Sequence, residues 1–208
     1  MNRRELLRDV GVAAAAASPL VAASSSQAQA PSGRVDVLVA YHSVTGNTEK
    51  MAQGVTDGAK GVAGTNVVLK RVGDVAADDL LSSDAVIVGS PVYFGNMAGE
   101  VKTFFDNWQL KFDFFRDFKM QNKIGGAFAT GGSISNGKEI TMMAILEAML
   151  INKMVVASAG GSFGFGASAT TGPDSPGIDE KELAAARELG KRVVEVAATN
   201  KRGVAQAR

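Results

Sequence analysis

The 208-residue chain contains no cysteine and only one histidine, His42. The absence of cysteine excludes disulfide bonds, thiolate metal sites, iron–sulfur ligation and cysteine nucleophiles. A single histidine excludes a zinc site built from several histidines of this chain, and we expect no metal centre. Neither sign of charge predominates, since 22 basic residues face 21 acidic ones, which argues against a nucleic-acid partner. We interpret His42 as an exposed or strand-end residue.

The composition is that of one folded domain. Hydrophobic residues make up 46% of the chain, far from the composition of disordered proteins. A length of 208 residues fits one domain with a core of ordinary size. Glycine is in excess, at 24 residues against a usual share of ~7%. We therefore expect the backbone to turn tightly, or to approach something closely, in several places.

The first 28 residues have the order of a signal peptide. A charged start with Arg3 and Arg4 precedes an apolar stretch at residues 10–23 and a small-residue region at residues 24–30. The apolar stretch is shorter than the ~20 residues that span a bilayer, so we predict no membrane span. The arginine pair resembles a twin-arginine signal, which implies export of the folded protein to the periplasm. An alanine-rich tail with a chance arginine pair is the alternative.

Cleavage of this signal is expected after Ala28. At the alternative site, after Ala30, Pro31 would directly follow the scissile bond with a fixed φ and no N–H group. The removed segment carries three arginines and two acidic residues, so 19 basic and 19 acidic residues remain. The mature protein is therefore close to electrically neutral.

Five apolar segments alternate with helical patterns in the rest of the chain. Strands separated by helices imply parallel crossovers, and therefore an α/β fold whose sheet is covered by helices on both faces. The predicted strands are residues 35–41, 67–72, 85–89, 124–129 and 154–159.

The helices carry apolar stripes and capping signals. Asn96 is the predicted N-cap of the helix after the third strand. Asp179 and Glu182 form a capping-box pattern at the start of the last helix, and a frayed, disordered tail is predicted over residues 200–208. In the helix at residues 139–151, the residues expected to face inward are Ile140, Met143, Ala144 and Ile151.

The loop after the first strand, residues 43–48, is rich in hydroxyl and amide side chains. Backbone amides and hydroxyls at a helix N-terminus can hold a phosphate without any lysine or arginine. A hydroxyl-rich cap without a ligand is the alternative, although a bare cap needs only one Ser or Thr. Neither the GxxxxGK[ST] pattern nor a GxGxxG after the first strand is present, so a P-loop NTPase is not indicated.

Several motifs follow one another in a recognisable order. The first is Ser43-Val44-Thr45-Gly46-Asn47-Thr48. The second is Pro91-Val92-Tyr93-Phe94-Gly95-Asn96-Met97, continued by Lys102-Thr103-Phe104-Phe105-Asp106. Later come Gly160-Gly161-Ser162 and the pattern Glu182-Leu183-x-x-Ala186-Arg187-x-x-Gly190. Over residues 34–198 these segments resemble the flavodoxin superfamily, and in particular its WrbA-type NAD(P)H:quinone oxidoreductases.

The resemblance implies a flavodoxin-like, doubly wound sheet of five parallel strands in the order 2-1-3-4-5, within a domain at residues 34–199. It also implies FMN as the cofactor, NAD(P)H as the co-substrate, a quinone as the acceptor, and a homo-oligomer, either a dimer or a tetramer. No catalytic side chain is required, because the flavin carries the chemistry. The implied FMN contacts are Ser43, Val44, Thr45, Gly46, Asn47, Thr48, Pro91, Tyr93, Phe94, Gly95, Asn96, Thr130, Gly131 and Gly132.

The chain departs from the family's pattern at three positions. Asn152 stands approximately where the WrbA branch often has a histidine close to the flavin. Phe112 is the nearest match to a tryptophan that covers the site in the family. Tyr93 occupies a position that is commonly arginine, which weakens any inference about contacts with a nicotinamide phosphate.

The segment from Trp108 to Phe118 contains five aromatic residues. One helix face cannot bury all of them, and two interpretations follow. They form a small satellite core under a loop, or Trp108 and Phe112 belong to an aromatic wall for a flat quinone or a subunit interface. We favour the wall or interface.

Two functions fit the sequence. The first is an enzyme in which a hydride from NAD(P)H reaches FMN and two electrons pass to a quinone. The alternative is an exported flavodoxin that carries electrons without its own NAD(P)H site. Flavodoxin carriers are usually strongly acidic, and the near-neutral mature chain argues against that role. The signal peptide argues the other way, because NAD(P)H is not expected outside the cytoplasm. An FMN-binding protein of neither kind is a weaker third option.

Overall fold

The computed structural model describes residues 33–159, 164–172 and 177–206. The predicted signal peptide at residues 1–28 and the Gly160-Gly161-Ser162 motif lie outside the described residues. The strands are β1 (Val35–Tyr41), β2 (Thr65–Arg71), β3 (Ala85–Tyr93), β4 (Asn96–Met97), β5 (Ile124–Gly131), β6 (Val155–Val156) and β7 (Ala167–Thr170). The helices are α1 (Asn47–Lys60), α2 (Ala77–Ser82), α3 (Gly99–Leu110), α4 (Lys138–Ile151) and α5 (Glu180–Gln206), with a short 3-10 helix at Val72–Asp74.

The sheet is parallel in the order β2-β1-β3-β5, with β6 and β7 both alongside β5. This arrangement confirms the predicted α/β class and the doubly wound sheet. The fifth strand differs from the prediction of one strand over residues 154–159. It consists of two pieces, of which β6 pairs with the start of β5 and β7 with its end. Glycines such as Gly164 and Gly166 occur between the pieces, and glycine favours strand formation poorly.

Helices cover both faces of the sheet, and each face has its own core. On one face, α1 and α5 pack on buried residues of β1, β3 and β5, including Val37, Ile87 and Phe128. On the other face, α2, α3 and α4 pack on Leu38, Val86 and their neighbours. The strands are therefore buried on both sides, as is typical of a parallel sheet.

The inward face of α4 was predicted incorrectly. Ile140, Met143 and Ile151 are exposed, at 60%, 43% and 66%. The residues that face the core are Thr141, Met142, Ile145, Leu146 and Met149. The helix is apolar around most of its circumference, so its periodicity does not single out one face. The result is a row of apolar side chains on the outside of α4.

Two helix ends also differ from the prediction, whereas a third agrees with it. The N-cap of α3 is Ala98 instead of Asn96, because Asn96 is used in the short strand β4. Helix α5 continues to Gln206, so residues 200–206 are helical where a disordered tail was predicted. The capping box at its start is confirmed: Glu182 N donates to Asp179 Oδ1 and Asp179 N donates to Glu182 Oε2.

Candidate active site

The loop at residues 43–48, here called loop A, lies at the carboxyl end of β1 and leads into α1. The buried hydroxyl of Ser43 accepts a hydrogen bond from Gly46 N (3.1 Å). Gly46, with a φ of +86°, is the N-cap residue, and no side chain caps the helix. The first backbone bond back to this cap comes from Lys50 N (2.9 Å), so the amides before it have no partner within the helix. Loop A therefore presents free amides at the positive end of a helix.

The other side chains of loop A divide into those that face outward and one that is buried. Asn47 Nδ2 donates to Thr45 Oγ1 (3.1 Å) at the surface, and Val44 is 72% exposed. Thr48 is buried, and its hydroxyl lies 2.8 Å from that of Thr130 at the end of β5. Of the predicted phosphate contacts, Thr45 and Asn47 are open to solvent, and Thr48 joins this loop to another part of the site.

Arg71 supports loop A and was not predicted from the sequence. Its guanidinium donates to the carbonyl oxygen of Ser43 (2.7 Å) and to Glu49 Oε2 (2.9 Å). Arg71 pairs in register with Tyr41, the last residue of β1, which places it beside the loop. Burial, together with a hydrogen bond from its hydroxyl to Glu49, raises the pKa of Tyr41. The parallel pairing of β1 with β2 is the one signal by which this contact could have been predicted.

Residues 91–97, here called loop B, form a tight hairpin at the end of β3. Val92 pairs with Met97 and Tyr93 with Asn96, which leaves Phe94 and Gly95 as the turn. Both have positive φ, +50° and +82°, as a type I′ turn requires. Positive φ is strained for a bulky residue such as Phe94, whose side chain is fully exposed. Strained backbone conformations cluster at binding and catalytic sites, so loop B is a candidate ligand contact.

Ser90, the residue before loop B, holds both ends of this loop, a role that the sequence did not indicate. Its fully buried hydroxyl accepts a hydrogen bond from Ala98 N (2.9 Å) and donates to Pro91 O (2.8 Å). The two ends of loop B are thereby tied to one side chain.

Residues 131–137, here called loop C, connect β5 to α4. Together with Thr130, the residue directly before it, loop C contacts both other loops. The Thr130 hydroxyl before it reaches Thr48 of loop A. A Cβ atom at Gly137 would lie 2.7 Å from the carbonyl oxygen of Gly95, so this glycine permits loops B and C to touch. A Cβ atom at Gly132 would meet nothing within 4 Å, although its carbonyl oxygen packs closely on Gly172, and Gly131 packs on Asn136. The structure therefore brings the three predicted loops together at one edge of the sheet.

Two residues singled out from the sequence, Asn152 and Trp108, do not lie among the three loops. Asn152 follows the end of α4, where its side chain donates to Ala148 O (2.8 Å). This position is close to the start of β5, at the opposite end of the strands from the loops, and it lines the same groove between α3 and α4 as Asn96 and Met97 of loop B. Trp108 is 1% exposed and packs on Phe104 and Phe105, so it belongs to the core rather than to a substrate wall.

Phe112 and His42 line a cleft of about 690 Å³ beside loop A. His42 directly follows β1, as the strand-end interpretation expects, and its side chain is 15% exposed. Its Nε2 lies 3.6 Å from Glu100 Oε2 and makes no hydrogen bond. Its ring meets that of Tyr93 edge-on, with centroids 6.3 Å apart. Other residues that line this cleft are Arg71, Asp74, Asn107 and Lys111.

Residues 74–167 match the sequence profile of a family described as NADPH-dependent FMN reductase. A protein of Chromohalobacter salexigens named NAD(P)H dehydrogenase (quinone) is 31% identical over 197 residues, covering 78% of this chain and 96% of that protein. A flavodoxin of Aquifex aeolicus is 35% identical over 167 residues, covering 76% of this chain and 85% of the relative. The crystal structure of a flavodoxin, WrbA-like protein from Agrobacterium tumefaciens superposes with a TM-score of 0.68 at 26% identity, covering 80% of this chain and 99% of that one.

The fold and the three loops define a flavodoxin-like protein. Together with these similarities, they show that the chain belongs to the WrbA-type NAD(P)H dehydrogenase (quinone) family of flavodoxin-like oxidoreductases. The prediction of an FMN protein that uses NAD(P)H is confirmed at the level of the family.

The residues present fit FMN. The uncapped amides and hydroxyls of loop A suit a phosphate, which needs donors and a positive helix end. The ring of Phe94 is fully exposed, and a Cβ atom at Gly95 or at Gly132 would meet nothing within 4 Å, so a flat ring system could approach loops B and C from the solvent side. The contact assignments of individual residues remain predictions.

Neither a membrane-spanning helix nor a metal-binding cluster is found in the described part of the chain. No helix within residues 33–159, 164–172 and 177–206 is both long and apolar enough to cross a bilayer. Over the same ranges, no three His, Asp or Glu side chains cluster as the ligands of a metal ion would.

Proposed function

We propose that the protein binds FMN at the carboxyl edge of its sheet and transfers two electrons from NAD(P)H to a quinone-type acceptor. Two contacts between the loops carry this proposal. Thr48 of loop A lies within hydrogen-bond distance of Thr130, the residue directly before loop C, and Gly95 of loop B contacts Gly137 of loop C. When bound, FMN supplies the redox chemistry by accepting a hydride and passing two electrons on. The protein's part is to bind, orient and shield the cofactor.

Each loop has a distinct part in this function. Loop A would bind the phosphate through its backbone amides and through the hydroxyl of Thr45, which faces solvent. Loop B would place the Phe94 ring and the Gly95 backbone along the isoalloxazine. Loop C would form the wall on the other side with the backbone of Gly131 and Gly132. Ser90 and Arg71 would hold loops B and A in place through the hydrogen bonds described above.

An electron carrier without a nicotinamide site is the second candidate, and the similarity to a flavodoxin supports it. Near-neutral charge argues against it, because steering to basic partners needs an acidic surface. Stopped-flow reduction of the FMN-loaded protein by NADPH separates the two functions. We expect reduction at least 100-fold faster than that of free FMN under the same conditions. A rate equal to that of free FMN would support the carrier function and overturn the enzyme.

We also propose a homo-oligomer built on the outer face of α3 and α4. A groove of about 860 Å³ between these helices is lined by Phe105, Leu110, Phe115 and Ile151, of which Leu110 and Ile151 are largely exposed. Exposed apolar groups of this kind favour association, and a second copy of the chain offers the same apolar row on α4.

Light scattering coupled to size-exclusion chromatography tests this assembly. Leu110→Lys with Ile151→Lys places charges in the groove and should reduce the molar mass toward that of the monomer. Leu81→Lys is the matched control, because Leu81 is also an exposed apolar residue but lies on α2. A wild-type protein that elutes with the mass of a monomer would refute the proposal.

Export to the periplasm through the twin-arginine route is a further part of the proposal. Its support is the sequence of residues 1–28, and loading of FMN before export fits a route for folded proteins. A reporter fused to residues 1–34 should be exported, and Arg3→Lys with Arg4→Lys should retain it in the cytoplasm. Export of the double variant at the wild-type rate would exclude this route. The donor available outside the cytoplasm would then be identified by testing reductants on the exported protein.

A further inference from the structure

Lys138, the first residue of α4, is a buried cation directly under loop C. Lys138 is only 5% exposed to solvent. Its ammonium group donates to the carbonyl oxygens of Ser133 (2.7 Å) and Ile134 (3.0 Å), both within loop C. Lys138 therefore holds loop C to the start of α4 through two hydrogen bonds.

The surroundings of Lys138 do not neutralise its charge. Among the described residues, its hydrogen-bond acceptors are these two neutral carbonyls, and it forms no ion pair with a carboxylate. A cation is also disfavoured at a helix N-terminus, where the helix dipole is already positive. Buried charges without a counter-charge are costly. An anion bound nearby would offset this cost.

The neighbours of Lys138 place this positive region at the proposed flavin site. The preceding residue, Gly137, touches Gly95 of loop B. Helix α4 begins without a side-chain cap, so its first amides add to the positive potential. The cation, the helix end and the contact between loops B and C thus occupy one region of the structure.

We propose that Lys138 is a positioning residue of the flavin site, whose ammonium group orders loop C and stabilises the negative charge that FMN acquires on reduction. Transfer of a hydride from NAD(P)H adds two electrons and one proton to the ring system, releases NAD(P)⁺, and leaves one net negative charge on the reduced cofactor. A fixed cation nearby lowers the free energy of that state relative to the neutral oxidised one. This inference depends on the binding of FMN in the proposed function.

Two substitutions separate the charge of Lys138 from its hydrogen bonds. Lys138→Gln removes the charge but keeps an N–H₂ donor for the two carbonyls. Lys138→Arg keeps the charge. Lys153→Gln is the matched control, because Lys153 follows the other end of the same helix and its loss changes the net charge equally. The two-electron midpoint potential of bound FMN is measured for all four proteins, with dithionite as the reductant.

We expect Lys138→Gln to lower the affinity for reduced FMN relative to oxidised FMN about tenfold, which is a potential about 30 mV more negative for a two-electron couple. Lys138→Arg and Lys153→Gln should remain close to wild type. An unchanged potential in Lys138→Gln would overturn the inference, as would an equal shift in Lys153→Gln.

A second measurement covers the case in which Lys138→Gln fails to fold or to retain FMN. In the wild-type protein, the ¹⁵N resonance of the Lys138 ammonium group should shift when bound FMN is reduced, and that of Lys153 should not. A Lys138 resonance that is the same in both redox states would overturn the inference. Because dithionite reduces the flavin in both experiments, failure of NADPH to act as donor would affect the proposed function alone.

Discussion

The hydrogen bond between the hydroxyls of Thr48 and Thr130 joins the first turn of α1 to the end of β5. Both residues are buried, so replacing either with valine keeps the shape and leaves the other hydroxyl without its partner. We expect Thr48→Val or Thr130→Val to lower the free energy of unfolding by about 1–2 kcal/mol.

The double variant tests whether these two hydroxyls act on each other. Thr48→Val combined with Thr130→Val removes both partners, so its cost should be clearly less than the sum of the single costs. Urea denaturation of the four proteins without FMN measures this coupling. Strict additivity of the two losses would show that the hydrogen bond does not contribute to stability.

The contribution of Asp79 to the free energy of unfolding depends on pH. Its carboxylate accepts hydrogen bonds from Lys70 Nζ (2.8 Å) and from Ala76 N (2.7 Å). Partial burial raises the pKa of Asp79, but these two interactions outweigh it and hold the pKa below its usual value. The stabilisation is therefore fully present above the unfolded-state pKa of ~3.9 and is lost as the pH falls through the lower folded-state pKa.

Replacing Asp79 with asparagine should expose this dependence. Asp79→Asn should lower the free energy of unfolding by about 1 kcal/mol at pH 7, since it weakens a helix cap and an ion pair. The difference from wild type should shrink as the pH falls below 4. Asp78→Asn is the control, because Asp78 is an exposed acidic residue in the same helix turn. A difference that stays constant with pH would contradict the assignment.

At the scale of elements, the crossing of α1 with α5 depends on two glycines. A Cβ atom at Gly190 of α5 would overlap the carbonyl oxygen of Val55, and one at Gly58 of α1 would overlap the backbone of Arg187. The helices are therefore in backbone contact, with no room for a methyl group. We expect Gly190→Ala to cost about 1–3 kcal/mol, because overpacking must push the helices apart.

Another glycine of α5 serves as the matched control for Gly190. Gly203 is exposed, and a Cβ atom there would meet nothing within 4 Å. Gly203→Ala should therefore stabilise the helix by up to about 1 kcal/mol, since alanine is the better helix former. Thermal unfolding of both variants tests the contrast in sign. Equal effects at the two positions would show that the helix crossing is not close-packed.

Elements were predictable where one local signal was strong. The strand Val35–Tyr41 and the capping box at Asp179 follow from an apolar run and from a spacing of three residues. The buried face of α4 was not predictable, because apolar residues on both sides of that helix satisfy the same pattern. In the proposed assembly, a second copy of the chain would cover the apolar outer row of α4.

The candidate site was predictable as three loops but not as a network of contacts. Polar and glycine-rich segments after β1, β3 and β5 must meet, because the carboxyl ends of parallel strands share one edge of the sheet. The roles of Arg71, Ser90 and Lys138 were missed, because each acts through a backbone carbonyl or amide that carries no sequence signature. Whether such a side chain reaches a given backbone group depends on the three-dimensional distance between them, which is known only from the folded structure.

At the scale of the whole molecule, the last turns of the C-terminal helix α5 bind the end of the sheet where the strands begin, opposite to the site. Lys201 Nζ donates to Arg34 O (2.7 Å) and to Asp84 Oδ2 (2.7 Å). Asn200 Nδ2 donates to Asn122 O (2.9 Å). These contacts reach the segments just before β1, β3 and β5, which explains why the helix continues past residue 199.

A chain that ends after Thr199 should therefore be less stable than one that ends after Gly203. Each of the lost hydrogen bonds contributes roughly 1 kcal/mol, and partial exposure of the Lys201–Asp84 pair reduces its share. We expect a loss of about 1–2 kcal/mol in urea denaturation for the shorter chain. Lys201→Met with Asn200→Ala in the full chain should reproduce most of it. If the two truncated chains unfold at the same urea concentration, the last turns of α5 do not fasten this edge of the sheet.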